Sequence, residues 1–129
     1  MHVIEGELGH STFSPHPARG PVELDVEVRV LTFDAWRLER GLALPTRPSW
    51  VLKMDIEGFE PRAIEGMDEA LSARAFRGLV VELNDYTLGL CGSSTAEVRD
   101  ALAQRGYREP PWTLELGGIN GYFEPSPGR

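Results

Sequence analysis

The chain has 129 residues, of which 41% are apolar and 26% are charged, as expected of one modest globular domain. Its 20 acidic and 13 basic residues give a formal net charge of -7 at pH 7. Because this charge repels phosphate backbones and anionic lipid, we expect no binding to nucleic acid and none to a membrane surface.

Residues 1–25 combine several Gly and Pro with Ser, Thr and His, which predicts an irregular N-terminal loop segment. The first residues lack the charged and apolar regions of a signal peptide. No apolar run in the chain approaches the roughly 20 residues of a membrane helix. A single cysteine, Cys91, excludes an intrachain disulfide and suits a reducing compartment. The predicted location is therefore the cytoplasm.

Residues 26–33 begin with alternating Val and charged residues, which predicts a strand. Asp34 can then cap a short helix over residues 35–40, which Gly41 would end. After a connection that contains proline, residues 50–56 form a nearly continuous apolar run. Such a run is typical of a central parallel strand that is covered on both faces.

A helical pattern follows this strand. Gly58 ends the strand, and Pro61 suits the first turn of a helix. Apolar residues then recur at helical spacing as far as Leu71. Gly66 is expected to weaken or divide this helix.

The second half of the chain continues the alternation. Residues 79–83 predict a second buried strand, and a polar, Gly-rich segment follows over residues 84–93. Residues 94–97 have the pattern of a capping box and open the clearest helix of the chain. Gly106 stands where a C-terminal cap belongs.

The last apolar segments, residues 112–116 and 119–123, flank two glycines and would pair as a closing hairpin. Strands and helices thus alternate along the chain, which is the order of right-handed crossovers. The predicted fold class is α/β, with a mostly parallel sheet and a C-terminal hairpin.

The main candidate site lies at the end of the first buried strand. Because strand side chains alternate, Lys53, Asp55 and Glu57 would share one face. Buried charges are costly unless they are paired, so we place this group at the open C-terminal edge of the sheet. Ligands bind at that edge in open α/β sheets.

The spacing of these residues leaves several roles open. In a structural interpretation, Lys53 forms an ion pair with Asp55 or Glu57, and Glu60 caps the following helix. In a functional interpretation, one carboxylate takes a proton from a substrate hydroxyl. Alternatively, two of them orient the substrate or hold a hard cation such as Mg²⁺.

Glu82 closes the neighbouring strand and is expected to face the same edge as Asp55. It would either form an ion pair with Lys53 or act in catalysis. A hydrolase that uses Mg²⁺ at Asp55, Glu57 and Glu82 is a further functional class. All three histidines lie within residues 1–25 at spacings that match no metal motif, so no metal ligands are assigned.

Residues 53–60, with the sequence Lys-Met-Asp-Ile-Glu-Gly-Phe-Glu, resemble a segment of the FkbM methyltransferase family that reads Lys-Ile-Asp-Val-Glu-Gly-x-Glu. Residues 30–34 are similar to the Thr-Leu-Asp element that precedes it in the family. Residues 64–66 and the strand at residues 80–82 extend the resemblance downstream. Residues 6–13 are similar to a loop that many members carry.

The resemblance implies a Rossmann-like class I fold and an O-methyltransferase whose cofactor is S-adenosylmethionine. The methyl acceptor would be a hydroxyl of a small molecule or sugar. By the same resemblance, Asp55 is the expected base, and Glu57, Glu60 and Glu82 support it. Asp55 is also the one candidate for contact with the methyl donor.

The family holds its donor with a first strand, a Gly-rich loop and a ribose-binding acid. No Gly-x-Gly turn follows a strand upstream of Val26. We therefore expect residues 26–124 to be the C-terminal half of a truncated methyltransferase domain, incomplete in this chain. Residues 1–25 would be a loop segment and residues 125–129 a tail.

The alternative function is that of a non-catalytic α/β remnant that binds a partner. Three missing strands would leave an unpaired sheet edge, and such an edge is adhesive. Either interpretation predicts self-association, or binding of an N-terminal partner, through this edge.

Overall fold

The computed structural model describes residues 2–4, 22–25, 27–115 and 119–127. The strands are β1 (His2–Ile4), β2 (Val22–Asp25), β3 (Trp50–Met54), β4 (Phe76–Glu82), β5 (Tyr107–Arg108) and β6 (Asn120–Pro125). The α-helices are α1 (Phe33–Glu39), α2 (Glu60–Glu65), α3 (Asp68–Ser72), α4 (Asp85–Leu90) and α5 (Thr95–Gln104). A 3-10 helix spans Pro111–Glu115.

The main sheet has four strands in the order β3-β4-β6-β5. Strands β3 and β4 are parallel, whereas β6 runs antiparallel to both β4 and β5. The fold is α/β as predicted, but the prediction of a mostly parallel sheet is wrong, because the sheet is mixed and mostly antiparallel. Strand β3 is parallel to β4 as predicted, but the prediction of a central strand covered on both faces is wrong, because β3 lies at the end of the described sheet and Val51 is 61% exposed. A continuous apolar run therefore sets neither the position nor the direction of a strand.

The first strand of the predicted C-terminal hairpin, at residues 112–116, is also wrong. Residues 111–115 form the 3-10 helix, and residues 116–118 lie outside the described part of the chain. The second predicted strand exists as β6, but its antiparallel partners are β4 and β5. The short strand β5 therefore takes the place in the hairpin that the apolar segment at Trp112 was expected to take.

The N-terminal part of the chain differs from the expectation as well. Strands β1 and β2 pair antiparallel with each other inside the segment predicted to be irregular, and residues 5–21 lie outside the described part. Residues 27–32 have no regular secondary structure, so the strand predicted there is wrong. Val30 remains 69% exposed. An alternating pattern forms a strand only where a neighbouring strand supplies backbone partners.

Helix α1 begins two residues earlier than predicted, because Thr32 is its N-cap and accepts a hydrogen bond from the Ala35 amide at 3.1 Å. Asp34 instead caps α3: its carboxylate accepts from the backbone amides of Glu69 at 2.8 Å and Ala70 at 3.2 Å. The buried Arg37 donates to Asp34 at 3.0 Å and also pairs with the Glu69 carboxylate. Helices α1 and α3 are thus joined by a charged network.

Two other helical predictions are confirmed. The helix after the first buried strand is divided into α2 and α3 at Gly66, as its glycine predicted. Helix α5 is capped by Ser94, whose hydroxyl accepts from the Glu97 amide at 3.3 Å. Helix α4, by contrast, lies in the polar, Gly-rich segment at residues 84–93, where no helix was predicted.

The hydrophobic core is centred on β4 and is covered by side chains of α2, α3 and α5. Tyr107 contributes its ring to this core, and its hydroxyl hydrogen-bonds both the amide and the carbonyl of Phe76 at 3.2 Å. Phe33, Trp50 and Phe76 stack edge to face or tilted at its margin. None of the helices in the described residues is long and apolar enough to cross a membrane.

Candidate active site at the ends of β3 and β4

Three carboxylates meet where the two parallel strands end. Met54 and Val81 are register partners, so Asp55, which follows β3, lies beside Glu82, the last residue of β4. One carboxylate oxygen each from Asp55, Glu57 and Glu82 lies within 4.8 Å of the others. Asp55 is exposed, Glu57 is half-buried and Glu82 is buried. We call this group the acidic cluster.

A tight turn brings Glu57 to the cluster. Glu57 and Gly58 both have positive φ angles, of 56° and 95°, and the Phe59 amide donates to the Ile56 carbonyl at 3.3 Å. A left-handed backbone costs a non-glycine residue roughly 1–2 kcal/mol. Such strain is found preferentially at functional sites. The side chain of Glu57 is therefore held in place by a backbone conformation that its residue type does not favour.

Glu60 lies beneath this turn. It is the first residue of α2 and is fully buried, and its Oε1 accepts from the Ile56 amide at 3.0 Å. Its second oxygen, Oε2, has no hydrogen-bond partner among the described residues. The carboxylate thus binds the turn that precedes the helix. Through this hydrogen bond Glu60 fixes the loop that carries Asp55 and Glu57. Its own oxygens are not part of the acidic cluster.

Lys53 forms its ion pair with Asp55, at 2.7 Å from Nζ to Oδ2. This is one of the two partners that the sequence left open. The side chains of Lys53 and Asp55 are 65% and 44% exposed. Exposed pairs of this kind contribute only about 0–1 kcal/mol to stability. The pair therefore leaves Asp55 accessible from solvent.

Glu82 has the most perturbed electrostatics of the cluster. Burial raises the pKa of its carboxyl group above the ordinary value of 4.5, and the negative charges of Asp55, Glu57 and Glu60 raise it further. A hydrogen bond from the Asn84 side chain acts in the opposite direction. The second oxygen of Glu82, Oε2, is buried without a hydrogen-bond partner in the described structure. The cluster therefore has an unusual affinity for a proton or another positive charge.

Asn84, two residues after Glu82, was expected to face the same edge as Asp55, but the sequence assigned it no contacts. Its Oδ1 accepts from the Tyr86 amide at 3.1 Å and so caps α4, while its side chain also hydrogen-bonds Glu82. Asn is a preferred N-cap residue, so this signal could have predicted α4 within the polar, Gly-rich segment.

An apolar cleft of about 610 Å³ lies next to the turn. Ile56, which lies between Asp55 and Glu57 in the sequence, lines this cleft. The other apolar side chains that line it are Val30, Leu31, Phe33, Trp36, Phe59, Ala63 and Met67. The turn thus separates a charged surface from an apolar one, which is the usual composition of a small-molecule site.

The chain is thus an α/β protein whose carboxylates gather at the C-terminal ends of parallel strands, the edge at which ligands bind in open α/β sheets. Residues 4–109 match the family model described as Methyltransferase FkbM domain. The match covers more than half of the chain, so the chain belongs to the FkbM methyltransferase family, and the resemblance drawn from residues 53–60 is confirmed. Neither a curated protein nor a solved structure gave a match.

Proposed function

We propose that the chain is an S-adenosylmethionine-dependent O-methyltransferase that acts on a hydroxyl of a small molecule or sugar. Family membership indicates methyl transfer. The observation that supports this particular reaction is the acidic cluster, in which Asp55, Glu57 and Glu82 converge at the ligand-binding edge of the sheet. A hydroxyl must lose its proton when it is methylated, and carboxylates are suitable acceptors.

The described residues fit the charge of the donor. S-adenosylmethionine supplies a methyl group on a positively charged sulfur. Glu57 and Glu82 would attract that charge, and Glu82 has a buried oxygen that lacks a partner. Because the positive charge falls as the methyl group leaves, this attraction strengthens binding of the donor and not the chemical step.

Asp55 is the residue that we assign to the acceptor hydroxyl. It is the exposed member of the cluster, so a bound molecule can reach it. The hydroxyl would donate a hydrogen bond to its carboxylate, which takes the proton as the oxygen is methylated. Glu57 and Glu82 add negative charge beside it, and Glu60 holds the turn. Positioning of the two reactants would supply most of the acceleration.

Donor binding can be measured by calorimetric titration of the purified, monodisperse chain with S-adenosylmethionine and S-adenosylhomocysteine. We expect binding in the micromolar range, with the sulfonium compound bound more tightly because the product lacks its charge. Glu82→Gln should reduce this preference, whereas Glu65→Gln, an exposed residue of α2 that pairs with Arg62, should leave it unchanged. A folded chain that binds neither compound would contradict the proposal.

A second candidate function is partner binding through β3. Strand β3 lies at the end of the sheet, so one of its backbone edges has no partner strand in the described residues. Val51 on this strand is 61% exposed. Exposed edges with apolar side chains are templates for pairing with another chain. We propose this edge as the surface for self-association or for an N-terminal partner.

A further inference from the structure

The spacing of the acidic cluster fits a single central ion. Oxygen atoms bound to one Ca²⁺ lie about 2.3–2.6 Å from it, so three equally spaced ones can be at most about 4.5 Å from one another. The three oxygens of Asp55, Glu57 and Glu82 all lie within 4.8 Å of one another. They can therefore contact one ion after only small side-chain adjustments.

A separate observation indicates that a ligand is expected at this point. Glu82 is only 7% exposed, and its Oε2 is buried without any hydrogen-bond partner in the described structure. Buried polar atoms are nearly always satisfied by protein, water or an ion. Asn84 hydrogen-bonds the carboxylate, and the backbone of Glu82 is within the ladder opposite Asn120, so both ends of the side chain are anchored. A buried carboxylate with an unsatisfied oxygen, next to two other carboxylates, is suited to coordinate a cation.

We propose that Asp55, Glu57 and Glu82 bind one divalent cation of the oxygen-preferring class, namely Ca²⁺, Mg²⁺ or Mn²⁺. An all-carboxylate ligand set excludes a preference for softer metals, which favour thiolate and imidazole ligands. Three protein ligands leave further coordination positions for water or for oxygen atoms of a bound molecule. This inference rests on the geometry of the cluster and does not depend on methyl transfer. A bound cation would compete with the sulfonium of the donor for Glu82 and would oppose proton uptake by Asp55, so donor titrations are made on the metal-free chain.

Lys53 should limit the affinity of this site. Its ammonium group lies 2.7 Å from Asp55 Oδ2, so it occupies one oxygen of a proposed ligand and repels a second positive charge. Sites with few protein ligands and partial exposure bind Ca²⁺ with dissociation constants of about 0.1–1 mM. We expect an affinity in this range. Lys53→Gln should strengthen binding severalfold, because it removes the repulsion and leaves the three carboxylates intact.

The test is a titration of the metal-free chain with MnCl₂, followed by electron paramagnetic resonance of the unbound ion, with CaCl₂ and MgCl₂ as competitors. We expect about one site per chain. Glu82→Gln and Asp55→Asn should each weaken binding at least about tenfold, a loss of roughly 1.4 kcal/mol. Glu65→Gln is the matched control, since it removes an exposed carboxylate that is paired with Arg62 outside the cluster.

Circular dichroism of each variant shows whether it is folded, so that a loss of binding reports on the site. The proposal is overturned if the folded wild-type chain binds no Mn²⁺ below about 10 mM, an affinity weaker than that of the weakest protein calcium sites. It is equally overturned if Glu82→Gln binds as well as the wild type. In that case the binding would come from the net negative charge of the chain and not from the acidic cluster.

Discussion

Gly58 lies directly against the backbone of Thr87, so that a Cβ atom at residue 58 would be 2.3 Å from the Thr87 carbonyl oxygen. The contact joins the turn after β3 to helix α4, which begins three residues after Glu82. Gly58 also has a φ of 95°, which side chains rarely adopt. Glycine is therefore required here for two independent reasons, and it sets the distance between the two loops that carry the acidic cluster.

Gly58→Ala should destabilise the chain by more than about 2 kcal/mol, since the new methyl group collides with backbone that cannot move aside and the positive φ becomes strained. Urea unfolding followed by circular dichroism measures this change. Gly89→Ala is the control, because nothing lies within 4 Å of its added Cβ and α4 should gain about 0.5–1 kcal/mol of helix propensity. Equal stability of both variants would show that the contact is not tight.

Asp34→Ala should destabilise the chain by about 3 kcal/mol. The change removes the cap of α3 and leaves the buried guanidinium of Arg37 with Glu69 as its remaining acidic partner. Removing one partner of a buried ion pair typically costs 3–5 kcal/mol, and loss of a cap costs about 1 kcal/mol. Thermal unfolding provides the measurement. Asp34→Asn should be milder because it keeps one acceptor oxygen, and a loss below about 1 kcal/mol for Ala would contradict this assignment.

Glu82→Gln should stabilise the metal-free chain at pH 7. The folded state raises the pKa of Glu82 above 4.5, so the contribution of this group to stability is full below pH 4.5 and is lost as the pH rises through the folded pKa. Glutamine keeps the hydrogen bond to Asn84 and removes the repulsion from Asp55 and Glu57. Two charges about 4 Å apart repel by about 1 kcal/mol or more, depending on burial.

The midpoint temperature of Glu82→Gln, measured with a chelator present, should therefore exceed that of the wild type at pH 7 and match it near pH 4. Added Ca²⁺ should then stabilise the wild type and leave the variant unchanged. A variant that is less stable at both pH values would indicate that the Glu82 carboxylate is satisfied as it stands.

The outer edge of β3 remains a predicted association surface. Val51→Lys places a charge on the exposed face of this edge strand, and charged edge residues oppose strand pairing. Sedimentation velocity over a range of concentrations should show self-association of the wild type and less of it for the variant. Leu38→Lys is the control, because Leu38 is 62% exposed on helix α1. A wild-type chain that stays monomeric at high concentration would exclude this surface for self-association.

The sequence predicted those parts of the fold that local patterns encode. The apolar runs gave β3 and β4, and Ser94 with Gly106 gave the limits of α5. The direction of β6 relative to β4 could not be predicted, because an apolar strand can pair parallel or antiparallel with its neighbour. The connection that precedes the strand determines which of the two forms. Asp34 could not be assigned either. It caps a helix 35 residues further on, a contact that no local pattern records.

For the site, the sequence pattern indicated that Asp55, Glu57 and Glu82 lie together, but strand alternation was not the reason for Glu57, because β3 ends at Met54 and a turn with positive φ brings Glu57 to the cluster. The degree of burial of each carboxylate could not be predicted from the sequence. Glu60 belongs to the same charged segment, yet it is buried under the turn, where its Oε1 accepts a hydrogen bond from the Ile56 amide. The expected absence of the donor-binding elements concerns residues that are mostly outside the described part. Micromolar binding of S-adenosylmethionine by this chain, which the proposed function requires, would show that expectation to be wrong.

Transfer of labelled methyl groups tests the role of the acidic cluster most directly. The purified chain is incubated with methyl-labelled S-adenosylmethionine and a panel of hydroxyl-bearing small molecules and sugars, alongside Asp55→Asn and the control Glu65→Gln. We expect label in a hydroxyl-containing product with the wild type and the control, and at least a hundredfold lower rate with Asp55→Asn, the usual order for loss of a general base. No transfer by the folded wild type, or equal rates for Asp55→Asn, would contradict this function for the cluster.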